Sequence, residues 1–210
     1  VMSRFRKAKA CLVMSTCGVY AAPADYGKGV LETDPLGGTP QPYAPTYCVS
    51  KISQEAVASS CAEEFGLPTI LARMNAAYGD NGGFPAMVAD MVLKDIPIHV
   101  MPEGRGQIAS PIHEDDIFDH TPGLLAAASV PATIVNWGGE DVVSVQEWTA
   151  YLTELTGVEI PLVETETAIP SVIADLTKAH ELIGRTEVGW RDGMRRMIEA
   201  RHPELLRGDA

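Results

Sequence analysis

Two side chains four residues apart, Tyr47 and Lys51, have the types and the spacing to do chemistry together. On a helix that interval puts both on one face, within reach of a shared ligand. A free tyrosine ionises only at about pH 10, but an ammonium beside it favours the phenolate. Such a pair can exchange a proton with an alcohol or a ketone. By itself Tyr-x-x-x-Lys fits a solvated helix turn as well. Upstream, Ser15-Thr16 follow the short apolar run Cys11–Met14. At the end of a strand their hydroxyls would lie at the carboxyl edge of a sheet, where open α/β folds bind ligands. A hydroxyl there can hold a substrate oxygen while Tyr47 handles its proton, although Ser-Thr also suits a plain strand-end turn.

The other candidate chemistries are weaker. Cys11, Cys17, Cys48 and Cys61 form no Cys-x-x-Cys pair and read as small, semi-buried thiols of a reducing compartment. The histidines show no His-x-x-x-His spacing, and His113-Glu114-Asp115-Asp116 are neighbours whose side chains diverge on a regular element, so no metal is expected. His113 reads as a packing and hydrogen-bonding residue, and Asp116 as a cap or brace of the helix that starts there. Trp137, Trp148 and Trp190 read as core and lobe-packing residues.

The elements that must position Tyr47 and Thr16 are legible from pattern. Cys11–Met14 is a buried-strand signal, and Thr69–Arg73 is a second. Between them, residues 47–65 read as one helix, stopped by Gly66 and Pro68. Strand, loop, helix, strand is a βαβ unit of an α/β sheet. Residues 20–45 are rich in Gly, Pro and Asp without periodicity, and a long irregular stretch in a compact domain is usually functional. Further on, helices are expected over 84–93, 115–129, 145–156, 172–183 and 192–201, with strands at 98–100 and 133–137. Helices outnumber strands after residue 80. The organisation expected is therefore a half of a parallel sheet in residues 1–80 and a smaller mixed lobe in 81–210, with an interleaved boundary.

Composition sets limits. Of 210 residues, 16 are Lys or Arg and 28 are Asp or Glu, a net charge of −12, and 46% are hydrophobic. That suits a globular core and argues against a nucleic acid or an anionic membrane as partner. No apolar run approaches the roughly 18 residues that span a bilayer. The basic start is followed by only Cys11-Leu12-Val13-Met14, short of the roughly 7–15 apolar residues of a secretion signal, so a cytoplasmic location is expected.

Several stretches, in order along the chain, resemble the extended short-chain dehydrogenase/reductases, the NAD-dependent epimerase/dehydratase group. Ser15–Tyr20 resembles the strand-end SSxxVY motif. Glu32–Pro35 followed by Pro45–Lys51 is similar to the acidic loop leading into YxxSK. Arg73–Gly79 resembles RxxNxYG, Ile112–Asp116 resembles IHVxD, and Asn136–Gly139 resembles the NxG turn. The resemblance implies a Rossmann-like sheet with a smaller substrate lobe, NAD or NADP as cofactor, and a small-molecule substrate. It implies Tyr47 as general acid/base, Lys51 on the nicotinamide ribose, and Thr16 on the substrate oxygen. It places Ser15 and Ala77 at the cofactor beside Tyr47 and Lys51, Asn75 at the substrate beside Thr16, and a homodimer seam on the Tyr47 helix. Intramolecular packing is the alternative for that helix face.

The chain departs from the family pattern in three places. No GxxGxxG turn precedes a helix, so the first half of the nucleotide-binding domain is expected to be missing from these residues. The asparagine usual three residues after Arg73 is Ala76, and the arginine usual four before His113 is Ala109. Arginine matches phosphate bidentately, so its loss weakens the case for a nucleotide-sugar substrate. Arg105 lies nearby and reads as a solvated turn residue. The expectation is an NAD(P)-dependent oxidoreductase, epimerase or dehydratase acting on a small hydroxyl or carbonyl compound. A non-catalytic nucleotide-binding protein and an inactive remnant are the alternatives.

Overall fold

The computed structural model describes residues 2–4, 7–38, 44–92, 94, 96–102 and 107–206. In chain order, the βαβ unit is β1 (Cys11–Thr16), α1 (Tyr47–Phe65) and β2 (Thr69–Met74). There follow β3 (Ala77–Gly79), β4 (Gly82–Gly83), α2 (Phe84–Val92), β5 (Ile98–Val100), β6 (Ile108–Ala109), β7 (Ile112–His113) and α3 (Glu114–Ala126). The remainder is β8 (Thr133–Trp137), β9 (Val143–Ser144), α4 (Val145–Thr156), β10 (Leu162–Glu164), α5 (Thr177–Ile183) and α6 (Trp190–Arg201).

The main sheet is parallel, in the order β1-β2-β8, with Thr16 opposite Met74 and Arg73 opposite Asn136. The fold is thus α/β and Rossmann-like. Because β8 joins β1 and β2, the sheet draws on both sides of residue 80. The central strand β2 is buried on both faces, as a parallel strand covered by helices must be. Alternation along it separates two clusters. Leu71 packs with Val13 and Ala58 of α1. Ile70 and Ala72 face Leu124 of α3 and Ala179 of α5. A third cluster gathers α2, β5, α4 and α6 around Tyr78, Trp148, Met194 and Met197, and is the core of the smaller lobe.

Local signals explain where elements stop. Gly66 ends α1 at φ +60°, a left-handed turn that glycine adopts without a Cβ penalty, and its N–H returns to the Ala62 carbonyl. The start of α4 is a capping box, in which Ser144 and Glu147 exchange hydrogen bonds. One expectation is corrected, and the two roles open to Asp116 are narrowed to that of a brace. The helix expected from Val172 begins only at Thr177, because the intervening backbone is engaged elsewhere: Val30 N–H donates to the Ile173 carbonyl and Asp175 N–H to the Val30 carbonyl, at 2.8 and 3.0 Å. The cap of α3 is His113, whose Nδ1 accepts from Asp115 N–H at 3.2 Å. Asp116 instead accepts from Glu187 and Val188 N–H at 2.8 and 3.2 Å, tying down the segment before α6.

Among the described residues, no helix is long and apolar enough to cross a membrane, and no group of His, Cys, Asp and Glu side chains could hold a metal ion. Gly193 lets α6 approach the lobe core, since a Cβ there would stand 2.3 Å from the Tyr78 hydroxyl and 2.9 Å from the His113 ring. Gly193→Ala should therefore destabilise the protein by about 1–3 kcal/mol through overpacking. Urea denaturation checks this against Gly189→Ala, where a Cβ meets nothing within 4 Å.

Candidate active site

The parallel strands β1 and β2 end on the same edge, and a cavity of about 410 Å³ opens there between the sheet and the smaller lobe. Its floor includes Ser15 and Thr16 at the end of β1, Met74 at the end of β2, and Asn75–Ala77 beyond it. Tyr47 and Lys51, in the first turns of α1, form one wall. Phe84, Gln107, Ile108, Ala109, Val145 and Trp148 belong to the opposite one. Chain order does not bring these residues together; the crossover from β1 through α1 to β2 does.

Thr16, Tyr47 and Lys51 all line this cavity. The Lys51 ammonium lies 5.9 Å from the centre of the Tyr47 ring and donates one hydrogen bond, 2.7 Å, to the Met14 carbonyl. An ammonium has three hydrogens, so two remain for a ligand. The Thr16 hydroxyl oxygen accepts from Gly18 N–H at 3.1 Å, which leaves its own hydrogen to donate. Together these groups can hold an alcohol or carbonyl oxygen and move a proton on or off it. Ala77 also borders the cavity. Ser15 borders it too, but its hydroxyl donates to the Glu55 carboxylate beneath the surface. Asn75 is likewise a brace: its amide donates to the Val172 carbonyl at 2.8 Å, and its oxygen accepts from Ala76 and Ser110 N–H at 2.9 and 3.3 Å.

Under the cavity floor runs a buried polar network. Glu55 of α1 and Arg73 of β2 form a forked ion pair, Nη2 to Oε2 at 2.7 Å and Nε to Oε1 at 3.0 Å, with side chains only 6% and 3% exposed. Arg73 also donates to the Tyr20 hydroxyl and the Glu32 carbonyl, each at 3.0 Å. Tyr20 donates in turn to the Asn136 side chain, whose own amide reaches the Val30 carbonyl at 2.8 Å. Burial disfavours the Arg73 charge, yet its bonds to Glu55 and Tyr20 prevail and hold the guanidinium above its ordinary pKa. Burial also pushes the Tyr20 phenol up, against the pull of Arg73.

A family model described as the NAD dependent epimerase/dehydratase family matches residues 1–107 of the chain. The chain belongs to this family. No curated protein matches it in sequence. Among solved structures it is similar to UDP-glucuronic acid 4-epimerase from Bacillus cereus in complex with UDP-glucuronic acid and NAD, at TM-score 0.77 and 20% identity. That alignment covers 95% of this chain and 64% of the epimerase. MoeE5 in complex with UDP-glucuronic acid and NAD follows at TM-score 0.76 and 23% identity, over 97% of this chain and 69% of that one. The Thermus thermophilus UDP-glucose 4-epimerase complex with NAD gives TM-score 0.71 and 21% identity, over 91% and 63%. The chain thus spans about two thirds of the length of these structures, and the likeness establishes the fold.

Against the family pattern, both substituted positions, Ala76 and Ala109, stand in the cavity wall. Arg105 lies outside the described residues. Cys17 also lines the cavity, but burial pushes its thiol up to about 12, so it stays protonated and is no nucleophile. Sequence reasoning missed Glu55, Phe84 and Gln107, and took Trp148 as core alone. Glu55 had a signal: it follows Lys51 by one helical turn, on a helix whose buried positions are otherwise small and apolar.

Two outcomes follow from burial. Glu55→Leu leaves Arg73 charged without its partner and should cost about 3–5 kcal/mol, whereas the double variant with Arg73→Met should recover most of that loss, as denaturant midpoints will show. Cys17 should resist iodoacetamide at pH 8 while the partly exposed Cys11 and Cys61 react, a contrast that peptide mass spectrometry reads directly.

Proposed function

We propose that this protein is an NAD(P)-dependent epimerase, dehydratase or oxidoreductase that works at an alcohol or carbonyl carbon of a small molecule. The observation that carries the reading is the convergence of Thr16, Tyr47 and Lys51 on one cavity from two elements. The residues present fit the nicotinamide-ribose end of the cofactor: Lys51 has free ammonium hydrogens to hold ribose hydroxyls, and Ala77 leaves room at the floor. A glycine-rich GxxGxxG turn for the pyrophosphate does not occur in the 210 residues. A bound nicotinamide supplies hydride transfer at the substrate carbon.

The chain's own residues divide the remaining work. Thr16 donates its hydroxyl hydrogen to the substrate oxygen and orients it. Tyr47 removes the proton from that oxygen, or returns it in the reverse direction. Lys51 positions the cofactor ribose beside Tyr47, and its charge stabilises the phenolate as it forms. The solved structures named above are complexes with UDP-sugars or NAD, whereas Ala76 and Ala109 in this cavity favour a substrate without a nucleoside diphosphate.

The test is turnover of the complete enzyme with Tyr47→Phe and Thr16→Ala. Loss of general acid/base catalysis should lower kcat by about 10²–10⁴ in the tyrosine variant, with the fold intact by circular dichroism. Full activity in Tyr47→Phe would sink the reading. We propose in addition that α1 forms a homodimer seam. Support comes from Val49 and Val57, which are 60% and 63% exposed on the face of α1 turned away from the sheet. Val57→Glu should then shift the sedimentation coefficient to that of the monomer.

A further inference from the structure

We infer that the substrate of this site is an uncharged secondary alcohol or ketone whose body is an apolar ring or chain. The inference rests on the functional reading above for the reacting oxygen, and on the cavity wall for everything beyond it. Beyond the reacting end the lining includes Phe84, Ile108, Val145, Trp148, Ile169 and Val172, which come from α2, β6, α4 and the segment before α5. Among the described lining residues Lys51 carries the single charge, and it sits at the reacting end beside Tyr47.

A diphosphate buried here needs charged or N–H donors to replace its water. Away from Lys51, the described side chains of the wall offer no charge and a single free N–H, that of Trp148. Ala109 adds only a methyl side chain to the lining, and Asn75 donates to the Val172 carbonyl while its oxygen is taken by the Ala76 and Ser110 N–H groups. Two helix N-termini reach the wall, at Val145 and Phe84, and a helix N-terminus is the usual backbone anion site. That of α4 already holds the Glu147 carboxylate, which accepts Ser144 N–H at 2.8 Å and would repel a phosphate. That of α2 has Pro85 at its second residue, which removes a donor. The uncommitted polar atoms of the wall are neutral: among the described residues, Gln107 Oε1 and Trp148 Nε1 are buried without a hydrogen-bond partner. One acceptor and one donor suit a hydroxyl or carbonyl on the substrate body, whereas a single neutral N–H is too little to replace the water around a diphosphate.

Titration calorimetry with two probes tests this, using 4-phenyl-2-butanone and UDP-glucose. The ketone should bind saturably and at least about tenfold more tightly than UDP-glucose. Val145→Asp, checked for folding by circular dichroism, should weaken ketone binding about tenfold or more, because it places a carboxylate in the apolar wall. Ala109→Arg should move the preference toward UDP-glucose. Preferential binding of UDP-glucose by the unmodified protein overturns the inference. So does absence of saturable ketone binding, or ketone binding indifferent to Val145→Asp. Turnover in Tyr47→Phe separates the two claims, since it reads the proton transfer while Val145→Asp reads the apolar wall. Ketone binding with full turnover in Tyr47→Phe would refute the catalytic reading alone.

Discussion

The arrangement at the sheet edge depends on one buried ion pair. Glu55 and Arg73 join α1 to β2, and Ser15 joins the same carboxylate to β1. Removing two charges from water costs several kcal/mol each, and attraction offsets this only when geometry is good and every remaining donor is satisfied. Here the pair is forked, and the guanidinium finds Tyr20 and the Glu32 carbonyl for its other hydrogens. Glu55 is one helical turn beyond Lys51 and two beyond Tyr47. Anchoring it sets both the height and the rotation of α1 against β1, and so the distance of Tyr47 from Thr16. A well-packed apolar pair could hold the helix as firmly; charge and fork geometry add orientation.

The same network gives the irregular segment after β1 its shape. Residues 20–36 have little regular structure, yet Tyr20, Val30 and Glu32 are pinned to Arg73 and Asn136. Arg73 and Asn136 are opposite each other in adjacent strands. A loop held from below by two neighbouring strands can be long without being loose. Its polar backbone groups are satisfied by side chains of the sheet edge where a ladder is missing.

The cavity has two unlike halves. At the reacting end, Thr16, Tyr47 and Lys51 retain hydrogen-bonding capacity directed to no partner among the described residues. At the far end the polar side chains are either internally satisfied or neutral, and the surface is apolar. Chemistry at an alcohol carbon requires only the first half to be polar. The second half sets which molecule is held there, and it is assembled from elements of the smaller lobe, held by the Tyr78, Trp148 and Met194 core.

Much of the regular structure was legible in the residues. α1, β5, β8 and α4 lie where punctuation and periodicity put them, with Gly66 and Gly157 as helix stops. The two- and three-residue strands β3, β4, β6, β7 and β9 were not, because so short a strand has no period to read and exists only through its partner. The helix expected from Val172 failed for the same reason, its backbone being claimed by Val30 across more than 140 residues of chain. By itself the sequence determined the α/β class, the helical pairing of Tyr47 with Lys51, and the position of Thr16 at a strand end, since these rest on local spacing. Only the tertiary structure decided that Ser15 and Asn75 use their side chains as braces, that Glu55 orients the helix, and that an apolar wall faces the reacting end. Those outcomes depend on which distant groups compete for each hydrogen bond, and that competition is settled only when the strands and lobes pack.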